Sequence, residues 1–122
     1  MSEHKSPEQI GEELGVPADK SWHKGDHRPK TGLLEKENGY EFQATPAMDV
    51  SLEEQTDALL RRLDPIAEKI RALRCDHVQL TCVVYASEVP SIHFPSSVIE
   101  RLSRLGASID VDLYIAEGNW AA

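Results

Sequence analysis

The segment from Ser51 to Ala86 constrains the fold most, because it joins the longest helical period of the chain to a strand-like run. Ser51 and Glu54 have the spacing of a capping box, which marks a helix start. Asp64 and Pro65 interrupt the helical period. Asp is a good N-cap residue and Pro is favoured at the first helical position. We therefore predict two helical pieces whose apolar sides face nearly the same direction, or one helix with a kink. The apolar stripe, typical of a helix packed on a core, comprises Leu52, Leu59, Leu60, Leu63, Ile66, Ala67, Ile70 and Leu73.

Three runs of the sequence alternate between apolar and polar residues, as half-buried strands do, and a fourth could be a short returning strand. The run over residues 108–115 alternates most cleanly, and the run over 77–86 is rich in β-branched residues. Pro46 ends another of them. The predicted strands are 39–45, 77–86, 91–94 (a short returning strand) and 108–115.

Two further capping boxes predict helices elsewhere in the chain. Ser6 and Gln9 predict a short helix over residues 6–15, which Pro at its first position also favours. Ser97 and Glu100 predict a helix before the last strand.

The rest of the chain carries no sustained period. We predict a disordered start over residues 1–5, a long connection over 16–39 and a tail over 116–122. At 122 residues the chain has room for one domain, residues 1–122, with a single core.

The order of elements from Tyr40 onward predicts an α+β fold. Strand, helix, strand, short strand, helix and strand follow one another, which is the ferredoxin-like βαββαβ order, here preceded by the short helix. In that two-layer sandwich, helices cover one face of an antiparallel or mixed sheet. The third strand is central in such a sheet, yet here it is the shortest, so the strand order can differ.

The charge balance limits the classes of partner. Thirteen Lys and Arg against 21 Asp and Glu give a formal net charge of −8, which disfavours nucleic acid and anionic membranes and is also an ordinary means of staying soluble. Residues 1–5 are polar and no run has membrane-spanning length, so we expect a cytoplasmic protein. Cys75 and Cys82 lack a metal or redox spacing and are expected to be reduced thiols.

Several segments together resemble a family of bacterial proteins known only as domain of unknown function 4279. They are EQIGEELGVP followed by KSWHKGD, then SLEEQTDALLRRLDPIAEKIRAL, and finally SSVIERLSRLGASIDVDLY. The resemblance implies a small α+β domain and brings no established activity, ligand or catalytic residue. Members of that family usually begin with an apolar strand, whereas residues 1–5 here are polar. We therefore expect either a shortened protein or a homodimer in which another chain supplies the open sheet edge.

The loop SWHKGDHRPK is the most chemically crowded stretch. His23, Asp26 and His27 are residue types that bind zinc, although a glycine and a proline argue against their lying on one helical face. Trp22, Lys24 and Arg28 are suited to an anion or a nucleotide, since cations and an aromatic ring can hold a phosphate or stack on a base. Neither a metal-binding nor a phosphate-binding motif accompanies them, so a solvated loop tethered by the tryptophan remains the alternative.

The last strand presents a second candidate surface. Asp110 and Asp112 share its outward face with Tyr114, about 7 Å apart along the strand. An open sheet face of this kind can recognise a protein, although alternation alone also places polar residues outward. The sequence contains no nucleophile elbow, and Cys82 is predicted in the core, so no catalytic residue, metal or cofactor is predicted.

These observations favour a non-enzymatic module that binds another macromolecule, of which immunity to a bacterial toxin is one form. A small anion-binding or nucleotide-binding module that uses the loop from Trp22 to Lys30 is the alternative. A metal-dependent enzyme that uses His23, Asp26 and His27 is the third hypothesis.

Overall fold

The structure is a computed structural model, and it describes residues 1–44 and 50–115. The predicted tail over 116–122 and the end of the predicted strand at Thr45 and Pro46 lie outside the described residues. The elements in chain order are α1 (Pro7–Leu14), β1 (Lys20–Trp22), β2 (Gly39–Glu41), α2 (Leu52–Leu63), a 3-10 turn (Asp64–Ile66), α3 (Ala67–Ala72), β3 (Gln79–Ala86), α4 (Ser96–Leu105) and β4 (Ser108–Ile115). The protein is a small α+β fold.

Helix α1 follows directly from its local sequence. The hydroxyl of Ser6 accepts a hydrogen bond from the Gln9 N–H, and the Gln9 side chain accepts one from the Ser6 N–H. Gly15 closes the helix in the left-handed conformation, with φ of 71°. The predicted helix over 6–15 is confirmed, with its first and last residues as caps.

The central helical segment is divided where the sequence indicated. Ser51 caps α2 by accepting from the Glu54 N–H at 3.1 Å. The chain then tightens into the 3-10 turn at Asp64, because Pro65 has no N–H to donate to a preceding carbonyl. Helix α3 continues the apolar stripe, so the prediction of two helical pieces is confirmed.

The strands form two separate two-stranded sheets among the described residues. Strands β1 and β2 are antiparallel, whereas β3 and β4 are parallel over all eight positions, with α4 as their connection. The run over residues 91–94 is not a strand, and α4 begins at Ser96 with Pro95 as its cap rather than with the predicted Ser97 box. Strands β3 and β4 are therefore direct neighbours, and the ferredoxin-like order in one sheet is not confirmed.

The connection over residues 16–39 is more ordered than its composition predicts. It contains β1, and beyond β1 a hairpin brings His27 and Leu34 together as an antiparallel bridge. Glycine at position 32, with φ of 69°, allows the turn at its tip. The chain start also differs from expectation, since Ser2 is buried and forms an antiparallel bridge with Asn38.

The core lies between the helices and the inner sides of the strands. Its fully buried side chains include Ile10 from α1 and Leu60 from α2. Around them pack the other buried apolar residues, Leu14, Ile66, Ala67, Ile70, Leu73, Val98, Leu102 and Leu105. Among residues 1–44 and 50–115, nothing covers the face of β3 and β4 that carries Tyr85 and Tyr114.

Candidate functional site

The open face of the β3–β4 pair carries two aromatic rings in contact. Tyr85 and Tyr114 are direct partners in the parallel register. Their rings stack with centroids 5.1 Å apart and an angle of 18° between the ring planes. Tyr85 is 79% exposed and Tyr114 is 54% exposed, so the stack lies at the surface rather than in the core.

The same face is acidic. Asp110 lies opposite Thr81 and Asp112 lies opposite Val83, and all four residues are exposed. Within the described ranges neither aspartate forms a salt bridge to Lys, Arg or His. No Lys or Arg occurs in β3 or β4, so the face presents uncompensated negative charge beside the tyrosine stack.

Strand β4 is also exposed on its helix-facing side. Val111, Leu113 and Ile115 are 40%, 43% and 49% exposed, although alternation places them on the inward side with Ile109. In the described part of the chain, β4 pairs only with β3, so its outer edge keeps unpaired N–H and C=O groups. An edge strand with apolar residues on one face and acidic residues on the other is therefore available to a partner.

The aromatic and charged side chains of the loop SWHKGDHRPK do not converge on one point. The indole ring of Trp22 lies against Gly39, where a Cβ atom would come within 1.9 Å of the ring. Lys20 Nζ lies 5.7 Å from the centre of that ring. The ring is therefore engaged by the protein's own backbone and a lysine, which leaves less of it for a bound base.

Most charged side chains of this loop already have partners in the protein. Arg28 Nε pairs with Glu35 Oε1 at 3.1 Å, and His23 Nε2 contacts Glu8 Oε1 at 2.8 Å. The hydrogen bonds from the backbone N–H of Glu8 and from His23 lower the pKa of the Glu8 carboxyl. Lys24 and Lys30 are exposed cations of this loop with no salt bridge among the described residues.

The three candidate metal ligands are not brought together. Asp26 accepts a hydrogen bond from the His23 N–H at 2.8 Å, with His23 Nδ1 3.8 Å away. His27 Nδ1 instead lies 3.0 Å from the Gly32 carbonyl. Over residues 1–44 and 50–115, no group of three or more His, Cys, Asp or Glu side chains is arranged to hold a metal ion.

Sequence reasoning identified Asp110, Asp112 and Tyr114 but missed Tyr85. Alternation already placed Tyr85 on the outward side of its strand, and this was the available signal. The contact depends on the parallel register of β3 and β4, which pairs residues 29 positions apart and which no local pattern encodes.

Comparison with known proteins identifies the family of the chain. A family model described as DUF4279, a domain of unknown function, matches residues 1–116. Neither the curated proteins nor the solved structures contain a significant match to the chain. Among the described helices, none is both long and apolar enough to cross a membrane.

Proposed function

We propose that this chain, which belongs to the DUF4279 family of domains of unknown function, is a non-enzymatic module that binds another protein. The observation that carries this proposal is the exposed stack of Tyr85 on Tyr114. An immunity protein that neutralises a toxin is one concrete form of such a module.

The stack has the properties of an interface anchor. Tyrosine is enriched among the residues that contribute most to binding, because it buries a large rigid ring and keeps a hydroxyl for a hydrogen bond. Two tyrosines held by strand register are preorganised, so they lose little conformational freedom on binding. Large contiguous apolar patches on protein surfaces commonly mark interaction sites.

The negative charge of the β3–β4 face indicates which kind of partner would bind there. Asp110 and Asp112 have no cation to balance them on β3 or β4, and the whole chain has a net charge of −8. Their negative field attracts a partner that presents Lys or Arg and accelerates its association. We propose a partner surface with basic residues around an apolar centre.

A homodimer through an open sheet edge is the competing form of the same proposal. Pairing of two β4 strands would bring the aspartates of the two copies together, and like charges across a ladder are destabilising. This repulsion favours a basic partner of different sequence over a second copy.

The experiment is partner capture from native lysate, with the wild-type chain and three variants immobilised in parallel. Tyr85→Ala with Tyr114→Ala removes the stack, and Asp110→Lys with Asp112→Lys inverts the charge. Ile99→Ser, on the helix side, is the matched control because it also removes an exposed apolar side chain.

The proposal expects one protein to be retained by the wild type and the control and lost with both double variants. Light scattering then gives its stoichiometry. Retention that is unaffected by both double variants, or no stable partner under several conditions, contradicts the proposal. A dimer of the chain alone that dissociates on Tyr85→Ala with Tyr114→Ala supports the homodimer instead.

A further inference from the structure

An open cleft lies between α3 and α4, next to the starts of β3 and β4. Its larger part has a volume of about 550 Å³ and its smaller part about 390 Å³, and Glu68 and Arg71 line both parts. The larger volume is within the range of about 300–1,000 Å³ that is typical of small-molecule sites. Neither part is lined by a residue at an end of a described range, that is, by Met1, Ala44, Val50 or Ile115.

The inner wall of the larger part is apolar, and we call it the floor of the cleft. Ile70 and Leu105 on this wall are 8% and 5% exposed, and Val78 is half-buried. The half-buried thiol of Cys75 belongs to the same wall. Among the described residues that line the larger part there is no aromatic ring, so the floor suits an aliphatic group rather than a nucleotide base.

The arginines of the cleft differ from the other arginines of the chain. Those elsewhere form salt bridges with Asp or Glu, and they are Arg28, Arg61, Arg62 and Arg101. Those that form no salt bridge with the described residues all line the cleft, and they are Arg71, Arg74 and Arg104. Because the chain has 21 Asp and Glu for 13 Lys and Arg, carboxylate partners are plentiful, and this clustering of unpaired arginines sets the cleft apart.

The Arg71 guanidinium is held in place by the end of α4. Its Nη1 atom donates a hydrogen bond to the Ser103 carbonyl at 2.9 Å, and a Cβ atom added to Gly106 would lie 3.5 Å from the same nitrogen. A guanidinium has five N–H donors, so one hydrogen bond to a carbonyl leaves four for an oxyanion. Arg71 is therefore oriented at the cleft without being neutralised by a carboxylate.

Arg74 follows the end of α3 in the left-handed backbone conformation. Among the described residues it is the one non-glycine residue with a positive φ, which is 52°. Glycine would adopt this conformation with less strain, so the termination of α3 by itself does not account for an arginine here. We attribute the arginine instead to its exposed side chain, which lines the larger part of the cleft.

The local charges leave the cleft positive. The carbonyl ends of α3 and α4 each contribute about half a negative charge, and with Glu68 the negative charge is about −2 against three arginines. Asp76 is close in sequence, but it accepts a hydrogen bond from the Glu3 N–H at 2.8 Å and lines neither part of the cleft. The remaining charge of about +1 favours an anion, although the whole chain has a net charge of −8.

We propose that the cleft between α3 and α4 binds a small amphipathic anion. The oxyanion head of this ligand, a carboxylate or a phosphate, contacts Arg71 and Arg74, and its short aliphatic body covers the floor. Guanidinium groups bind both kinds of oxyanion through paired hydrogen bonds. This site goes beyond the proposed protein-binding function, since neither Tyr85 nor Tyr114 lines the cleft.

Alkylation of Cys75 by iodoacetamide reports whether the cleft is occupied, because this thiol is part of the floor. Cleavage before Asp76 places Cys75 and Cys82 on separate peptides, so mass spectrometry follows both thiols in the wild-type chain. The probes are octanoate and hexyl phosphate, and 1-octanol is the uncharged control. We expect a saturating anionic probe to slow the labelling of Cys75 by at least about fivefold and to leave that of Cys82 unchanged.

Protection by either anion supports the site, and the more effective anion identifies the head group. Equal protection by 1-octanol, or no protection by either anion, overturns the proposal.

Arg74→Gly tests the contact with the oxyanion while preserving the fold, because glycine favours the backbone conformation at this position. We expect its melting temperature to equal or exceed that of the wild type, and the probe concentration for half-protection to rise about tenfold. Lys24→Gln is the control, since it removes one exposed cation outside the cleft. Unchanged protection in Arg74→Gly, or an equal loss in Lys24→Gln, contradicts the site. Tyr85→Ala with Tyr114→Ala should keep the protection, so the cleft and the tyrosine face can fail separately.

Discussion

Arg101 on α4 and Asp64 at the start of the 3-10 turn form a two-pronged ion pair. The Arg101 Nη2 and Nε atoms lie 2.8 Å and 3.1 Å from Asp64 Oδ2. Arg101 Nη1 also reaches Asp57 Oδ1 at 2.6 Å. These hydrogen bonds, from Asp64 first and then Asp57, raise the pKa of the guanidinium, and one largely buried cation joins α2, the turn and α4.

Arg101→Met should therefore lower the melting temperature by roughly 3–6 °C, because two neighbouring carboxylates lose their shared cation. Arg104→Met is the control, since Arg104 is exposed on the same helix. Its melting temperature should change by less than about 1 °C. Equal shifts in both variants, measured by calorimetry, would show that the ion pair does not link the helices.

Gly39→Ala should destabilise the fold by about 1–3 kcal/mol, because the new methyl group would overlap the Trp22 ring. Urea unfolding measures this cost. Trp22→Ala removes the obstacle, so adding Gly39→Ala in that background should cost much less. A cost that is independent of Trp22 would argue against this close approach.

Asp19 should make the stability depend on pH in the acid range. The Gln43 N–H, and after it the Arg62 guanidinium, lower the pKa of the Asp19 carboxyl. A lowered folded-state pKa stabilises the protein above the ordinary value of about 3.9, and this contribution is lost as the pH falls through the folded value. Asp19→Asn should unfold at lower urea than the wild type at pH 7.

Below about pH 4 this difference should shrink, because the wild-type carboxyl also becomes neutral. Arg62→Met should keep part of the pH dependence, since the Gln43 N–H is the larger cause. A difference between Asp19→Asn and wild type that stays constant from pH 7 to pH 2.5 would rule out this linkage.

Cys82 should resist alkylation in the folded protein. Burial raises the pKa of its thiol, and the thiolate is the reactive form. In Cys75→Ser, iodoacetamide at pH 8 should label Cys82 at least about tenfold more slowly than it labels Cys75 in Cys82→Ser. Both variants should react fully in urea. Equal native rates would mean that β3 opens readily.

The elements that the sequence predicted well are those stabilised by neighbours in the chain. Ser6 and Gln9 cap α1, Pro65 divides the central helical segment, and alternation over 108–115 gives β4 with its observed bounds. The predictions that were wrong involve competing local choices. Ser97 had a good capping pattern, yet the cap is Pro95, two residues earlier, whose fixed φ suits the extended cap conformation.

Only part of the candidate site could be predicted from the sequence. Asp110, Asp112 and Tyr114 followed from alternation, but Tyr85 became their neighbour through the register of β3 with β4. The hydrogen bond between Met1 and the His77 carbonyl could not be predicted either, because the two residues are far apart in the chain.

The helical segments, the side to which each strand residue points and the acidic character of the protein could be predicted from local sequence, apart from the start of α4. These depend on contacts between residues a few positions apart and on composition. The pairing of the strands and the parallel register of β3 with β4 are visible only in the three-dimensional structure. Strand pairing joins backbone groups that every residue has, so side-chain patterns fix which face is buried but leave the partner of each edge open.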